Sequence, residues 1–187
     1  SDSGTSWEME FGHEYEAEAR SRLPEVLGLT AEQITTPAFI LHPELSLIGC
    51  SPDALIDSKD VRAGAEIKCR CSEAHTRLLM EDLVASRNGD RAEVPDANVA
   101  QVQFSLWVSQ AELWYYVSFA PAHDESTDLI VLEVERDEPM IKKLERRATI
   151  MRECLLKAYE LFTGNTAADI DRLRQVNIDR VAMWTSA

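Results

Sequence analysis

The most constraining feature of this sequence is a pair of apolar, strand-like runs enclosed between segments with helical periodicity. Residues 113–119 and 129–134 are rich in aromatic and β-branched side chains, which favour strands, and are expected to pair antiparallel. A helix is predicted before them over 96–110, and a long one after them over 139–162, with a proline in its first turn and a glycine at its end. Strands embedded among helices predict a mixed α/β domain with a central sheet.

The other segments continue this alternation of helices and strands. Over 7–27, Phe11, Tyr15, Ala19 and Leu23 recur every four residues, which is one face of a helix. Further elements are predicted as short strands over 38–41, 45–49, 54–56 and 65–69, and as a helix over 168–181. The small, polar residues 1–6 read as a frayed lead-in. Because the sequence contains no linker, repeat or low-complexity tract, residues 1–187 are expected to form a single domain.

Composition excludes several classes of protein. The 187 residues include 19 Lys and Arg against 33 Asp and Glu, a net charge of −14, which excludes a protein that grips nucleic acid through bulk positive charge. No apolar run is long enough to span a membrane, and no signal peptide is visible. Four cysteines do not make a disulfide framework in a chain of this length, so a reducing cytoplasm is expected.

Two carboxylates with extended sequence around them indicate chemistry. Asp53 precedes Glu66 by thirteen residues, so neighbouring strands can bring both to one sheet edge. On the second strand Glu66 and Lys68 share a face, while Ile67 packs inward and offers its backbone carbonyl. An oxygen-only ligand set suits Mg²⁺ or Mn²⁺, and a nearby lysine suits metal-assisted phosphodiester hydrolysis. The alternatives are a solvated strand face and an ordinary Pro-Asp turn.

The Pro-Asp and Glu-X-Lys pattern is the signature of the PD-(D/E)XK nuclease superfamily, and a longer match is more specific. Several stretches between residues 7 and 160 resemble the phage lambda exonuclease (YqaJ-like viral recombinase) family. In sequence order they are FGHEYEAEAR (11–20), GCSPDAL (49–55), EIKC (66–69), AQVQFSLWV (100–108), WYY (114–116) and VERDE (134–138). The resemblance implies a PD-(D/E)XK, restriction-endonuclease-like fold, with a central mixed β-sheet flanked by helices.

The resemblance also implies an activity and the catalytic residues. The activity is Mg²⁺-dependent 5′→3′ exonuclease digestion of one strand of linear double-stranded DNA, leaving 3′ overhangs for phage-type recombination. The catalytic set would be Asp53, Glu66, Lys68, Glu16 and Gln101. The alternatives are a structure- or sequence-selective endonuclease with the same two-metal site, and a DNA-binding module with a vestigial site.

The same family resemblance implies ligand roles. Two Mg²⁺ ions, for which Mn²⁺ would substitute, would be bound by Asp53, Glu66 and the Ile67 carbonyl, with Glu16 acting through water or on the second metal. Lys68 would face the attacking water, near which Gln101 would also lie. Glu14, Glu18 and Gln103 point elsewhere and are expected to have no catalytic part.

DNA contacts are implied near the start of the chain and before Asp53. Ser51 matches a serine that helps to hold the terminal 5′-phosphate, and Trp7 and Met9 occupy the place of an apolar wedge at the duplex end, with ordinary packing as the alternative. The family carries a further 5′-phosphate-binding segment ahead of its first motif. We expect that segment to be absent from this sequence or replaced by another group, which leaves the 5′-phosphate requirement open.

The resemblance implies partners as well: double-stranded DNA ends, a ring-shaped homotrimer and a phage single-strand annealing protein. The expected location is the cytoplasm of a bacterial host cell, with the protein encoded by the host or by a phage or prophage. The cysteines, His75 and the basic cluster 142–147 give weaker functional signals. The cysteines lack iron–sulfur spacing and are expected to be buried reduced thiols. His75 is expected at the surface. The basic cluster 142–147 is compatible with a solvated face, a DNA-backbone contact or a subunit contact.

Overall fold

A five-stranded sheet forms the centre of the chain. The computed structural model describes residues 7–36, 39–58 and 62–178, with side chains over 14–36, 39–58 and 62–172. The strands are β1 (Ile34–Thr35), β2 (Ile40–Leu41), β3 (Gly49–Cys50), β4 (Ala54–Asp57), β5 (Arg62–Cys69), β6 (Leu113–Phe119) and β7 (Leu129–Glu135). The main sheet has the order β1-β4-β5-β6-β7, while β2 and β3 form a separate antiparallel hairpin.

Helices connect and flank these strands. They are α1 (Trp7–Leu27), α2 (Ser72–Ser86), α3 (Asp96–Ser109), α4 (Glu138–Thr163) and α5 (Ala167–Ile178). Within the sheet only β5 and β6 run parallel, and a parallel pair needs a crossover, which α2 and α3 provide. None of the described helices is long and apolar enough to cross a lipid bilayer.

Helices cover both faces of the sheet. On one face, Ile67 and its neighbours on β5 pack with Ala19 and Leu23 of α1. On the other face, Trp114 and Tyr116 of β6 pack against α3. The alternation of side chains along a strand therefore sends Ile67 into the α1 layer, and Glu66 and Lys68 towards α3.

The hairpin and α4 complete the α3 side. Trp107 and Val108 of α3 pack with the hairpin and with Ile141 of α4. The first turn of α4 is capped by the Asp137 side chain, and the helix ends at Gly164, whose φ of +72° suits glycine.

The α/β class, the central mixed sheet, the antiparallel strand pair predicted over 113–119 and 129–134 and the helices α1, α3 and α4 are confirmed. In the hairpin, β2 is shorter than the predicted strand 38–41, and β3 overlaps the predicted strand 45–49 only at Gly49. The parts of predicted elements at residues 38 and 179–181, and the expected lead-in 1–6, lie outside the described residues.

Two predictions about buried side chains were wrong. His75 was expected at the surface but is fully buried, with its ring nitrogens at 2.9 Å from Ser118 Oγ and 2.8 Å from the Thr127 carbonyl. All four cysteines were expected to be buried, yet Cys71 and Cys154 are exposed because each lies on the outer side of a helix or at its end. The helix α2, which carries His75, was not predicted.

Candidate active site

Asp53 lies in the bend between β3 and β4 and is fixed on three sides. Its N–H donates to the Ala65 carbonyl at 3.0 Å, and its own carbonyl accepts from Arg20 Nε at 2.7 Å. Its side-chain Oδ2 accepts a 2.6 Å hydrogen bond from the Ile67 N–H. The carboxylate is thereby held against the edge of β5.

The site opens where β4 stops following β5. Ala54 pairs with Ala65, so the next hydrogen-bonded pair in that register would be Pro52 with Ile67. Proline has no N–H to donate to the Ile67 carbonyl, and the Ile67 N–H donates to the Asp53 side chain rather than to the Pro52 carbonyl. A residue's N–H and C=O point to the same side of a strand, so the Ile67 carbonyl faces the same gap as the Asp53 carboxylate.

Glu66 is buried, with 3% of its side chain exposed, on the opposite face of β5 from Ile67. Its Oε1 accepts from Lys68 Nζ at 2.5 Å and from Gln101 Nε2 at 2.6 Å. Lys68 is 31% exposed and therefore reaches solvent beside the buried carboxylate. The structure thus brings Glu66, Lys68 and Gln101 together, as the predicted site requires.

Glu16 approaches from α1 through a residue that the sequence analysis did not single out. Arg20, one turn along the helix, forms an ion pair with Glu16 and also donates to the backbone carbonyl of Asp53. Arg20 therefore links the α1 carboxylate to the Asp53 bend. The spacing of four residues between Glu16 and Arg20 was the available signal, since such pairs meet on one helix face.

The gathered carboxylates perturb one another. Burial, then the charge of Glu66, raises the pKa of Asp53 from 3.8 to about 7, with Glu16 adding to the rise. The hydrogen bond from Ile67 and the charge of Lys68 act against it. An excess of negative charge at a half-buried carboxylate is what a bound cation would neutralise.

The donors at the site suit a hard divalent cation. Asp53, Glu66 and the Ile67 carbonyl offer only oxygen, the ligand type that Mg²⁺ and Mn²⁺ prefer. The carboxylates are turned towards protein partners, and within the described ranges no three Asp, Glu, His or Cys side chains are grouped as a metal centre. Cation binding would therefore replace the Lys68 and Gln101 contacts of Glu66 at least in part.

Other predicted residues lie around this centre. Ser51 is exposed just before Asp53, while Glu14 and Glu18 are exposed on α1 as expected. Gln103 is buried and bonds the backbone of Glu135 and Asp137, which ties α3 to the start of α4.

The remaining expectations concern residues away from the centre. The side chains of Trp7 and Met9 fall outside the described residues, so the wedge remains a prediction. Burial raises the pKa of the Cys50 thiol to about 12 and of Cys69 to about 11, which leaves both as unreactive thiols. The basic residues of 142–147 are exposed on α4 and, among the described residues, form no ion pair.

Comparison with solved structures gives the fold. An alkaline exonuclease from Laribacter hongkongensis matches with a TM-score of 0.63 at 21% identity, over 95% of this chain and 78% of that one. Its complex with dAMP gives a TM-score of 0.62 at 20% identity, over 97% and 79%. A phage-related exonuclease from Haemophilus somnus gives 0.55 at 14% identity, over 80% and 71%. The chain has the PD-(D/E)XK fold of these exonucleases.

Sequence comparison gives the family. No curated protein matches the chain significantly. The profile of the YqaJ-like viral recombinase domain matches residues 2–112, which include Glu16, Asp53, Glu66, Lys68 and Gln101. The chain therefore belongs to the YqaJ-like viral recombinase domain family.

Proposed function

We propose that this chain is a Mg²⁺-dependent 5′→3′ exonuclease that digests one strand of linear double-stranded DNA and leaves 3′ overhangs for phage-type recombination. The observation that carries the proposal is the meeting of Asp53, Glu66 and Lys68 where β4 leaves β5, with Gln101 bonded to Glu66. Family membership and the exonuclease fold support the same class of reaction. The dAMP bound to the Laribacter enzyme supports a nucleoside monophosphate as product here.

In the proposed reaction a water oxygen attacks the phosphorus, the bond from phosphorus to O3′ breaks, and the leaving oxygen takes a proton. Lys68, whose ammonium already reaches solvent, donates to a phosphate oxygen and offsets the developing charge. Gln101 orients the attacking water from α3. Two divalent cations, held by Asp53, Glu66, the Ile67 carbonyl and Glu16, would polarise the phosphate and lower the pKa of the attacking water.

The assembly belongs to the same proposal. We propose a ring-shaped homotrimer that admits DNA ends and acts with a phage single-strand annealing protein in the bacterial cytoplasm. Ser51 would contribute to 5′-phosphate binding. Native mass spectrometry should give three times the protomer mass, and a monomer at micromolar concentration would contradict the ring.

The test of the activity uses one linear duplex labelled at either the 5′ or the 3′ end. Mg²⁺ should release the 5′ label first as a mononucleotide, EDTA should stop the reaction, and a 5′-hydroxyl duplex should show whether the phosphate is needed. Asp53→Ala should abolish digestion, whereas Asp57→Ala, which removes an exposed carboxylate at the end of β4, should not. Cleavage of closed circular DNA would instead favour the endonuclease alternative.

A further inference from the structure

A second cation follows Lys68 on the same face of β5. Arg70 lies two residues beyond Lys68, and its N–H still bonds the Phe119 carbonyl at 2.7 Å, so the extended alternation continues to it. Alternate residues of a strand are about 7 Å apart on one face. That separation is comparable with the distance between successive phosphates along a nucleic-acid strand.

The guanidinium of Arg70 is held in place without being neutralised. Its Nε and Nη2 donate to the Tyr116 hydroxyl, at 3.2 and 2.5 Å, and Nη2 donates also to Asn98 Oδ1 at 2.5 Å. Both acceptors are neutral, and among the described residues Arg70 forms no ion pair and its Nη1 has no acceptor. A half-buried cation oriented by two buried neutral groups, in a chain of net charge −14, is poised for an anion.

Space for that anion lies beside Arg70. A cavity of about 420 Å³ opens between α2 and the start of α3, and Arg70 and Arg77 are among the residues that line it. The exposed carboxylates of Glu81, Glu93 and Asp96 line it as well. An anionic backbone that enters this cavity would be attracted to the arginines and repelled by the carboxylates. The segment 61–91, which contains Arg70, has 6 basic and 5 acidic residues and so lacks the acidic excess of the whole chain.

We propose that Arg70 binds the phosphodiester next to the scissile one on the digested DNA strand, one nucleotide along from the phosphate that Lys68 faces. The inference rests on the proposed function, because Lys68 marks the scissile position. Arg70 contributes binding and register, not bond cleavage.

The test removes one phosphate charge at a time. Duplexes carry a single neutral methylphosphonate linkage at the first, second or third position from the 5′ end, and binding is measured in EDTA so that no digestion occurs. The wild-type protein should bind the duplex with a neutral linkage at one of these positions about tenfold more weakly than the unmodified duplex. Arg70→Gln, which keeps a donor for Tyr116 and Asn98, should bind the unmodified duplex about tenfold more weakly and lose nothing further at that linkage.

The controls separate this contact from general charge and from folding. Arg87→Gln removes an exposed charge at the end of α2 and should keep the wild-type pattern at every linkage. Equal losses in Arg70→Gln and wild type at each linkage would overturn the proposal. The proposal would also be overturned if wild-type affinity did not fall for a duplex with a neutral linkage beside the scissile one. This measurement does not depend on the folding of any variant.

Two further outcomes are distinguishable. In the first, added 5′-mononucleotide inhibits Arg70→Gln less than wild type, and the effects of the substitution and of the neutral linkage on affinity are additive. Arg70 then binds the released product, and the proposal is wrong. In the second, wild-type protein binds the duplex but does not digest it in Mg²⁺, and the proposed nuclease function is wrong. The binding measurements with wild type and Arg70→Gln on modified and unmodified duplexes still decide whether Arg70 contacts a phosphate.

Discussion

Replacing Asp53 with asparagine should stabilise the fold in the absence of divalent cations, although it removes a side chain to which we assign catalysis. Burial, followed by the charge of Glu66, raises the pKa of Asp53 from 3.8 to about 7. An asparagine oxygen can still accept the hydrogen bond from the Ile67 N–H. The variant therefore keeps this hydrogen bond and loses the unfavourable charge.

The magnitude follows from the pKa difference between the unfolded and folded chain. About three pK units correspond to about 4 kcal/mol, and the partial exposure of Asp53 reduces this to about 2 kcal/mol. Because the folded pKa is raised, the contribution of Asp53 to stability is fully present below about pH 4 and is lost as the pH rises through about 7. The advantage of Asp53→Asn should accordingly be absent at pH 4 and complete by pH 8.

Thermal unfolding followed by circular dichroism in EDTA measures the effect. A gain of about 2 kcal/mol corresponds to a Tm increase of about 4–8 °C in a domain of this size. The matched control is Asp57→Asn, since Asp57 is 68% exposed at the end of β4 and its replacement should change Tm little at any pH. Mg²⁺ should then raise the Tm of wild type but not of Asp53→Asn. A variant Tm at or below that of wild type at pH 8 in EDTA would refute the electrostatic argument.

Three further changes have defined outcomes, apart from the DNA tests above. Lys68→Met should lower the initial rate of duplex digestion by about 100-fold or more, and a rate within threefold of wild type would exclude a catalytic role. Arg20→Met should lower the free energy of unfolding in urea by about 1–3 kcal/mol, because the Glu16 carboxylate and the Asp53 carbonyl lose their donor. The control is Arg77→Met, which breaks an exposed i,i+4 ion pair and should lower the free energy of unfolding by less than about 0.5 kcal/mol. Gly64→Ala should cost about 1–3 kcal/mol in the same assay, since the added methyl group would overlap a buried tryptophan ring of the neighbouring strand.

A buried histidine should make the fold sensitive to acid. Burial lowers the pKa of His75 below 6.5, so the unfolded chain takes up the proton first and stability falls as the pH drops below about 6.5. His75→Gln should reduce the change of the urea unfolding midpoint between pH 6.5 and 5. An unchanged pH dependence would show that other groups dominate.

Periodicity predicted those elements whose pattern is strong in the sequence itself. The aromatic and β-branched run of β6 and the long helix α4 with its terminal glycine are examples, because their signals are local. Alternation along β5 likewise predicted that Ile67 would be buried and that Glu66 and Lys68 would share a face.

The missed features depend on tertiary structure. Helix α2 begins at a residue without a side-chain capping bond and buries only His75 and Leu78, so its apolar pattern is weak. His75 is buried because β6 and the Thr127 turn supply partners that lie 43 and 52 residues away. No local pattern contains that information. The contact of Arg20 with the Asp53 carbonyl and the contacts of Arg70 were missed for the same reason, since these partners come from other elements.

The site itself shows how a local sequence signal acquires its chemical meaning. A proline before an aspartate reads as a turn, yet here Pro52 would face Ile67 if the β4–β5 register continued beyond Ala54. Pro52 has no N–H to offer the Ile67 carbonyl, and the Ile67 N–H donates to the Asp53 carboxylate. The Ile67 carbonyl then faces the same opening. The missing proline N–H thus leaves the Ile67 carbonyl available, and the Ile67 N–H fixes the position of the Asp53 carboxylate. These are two of the oxygens to which we assign the cation.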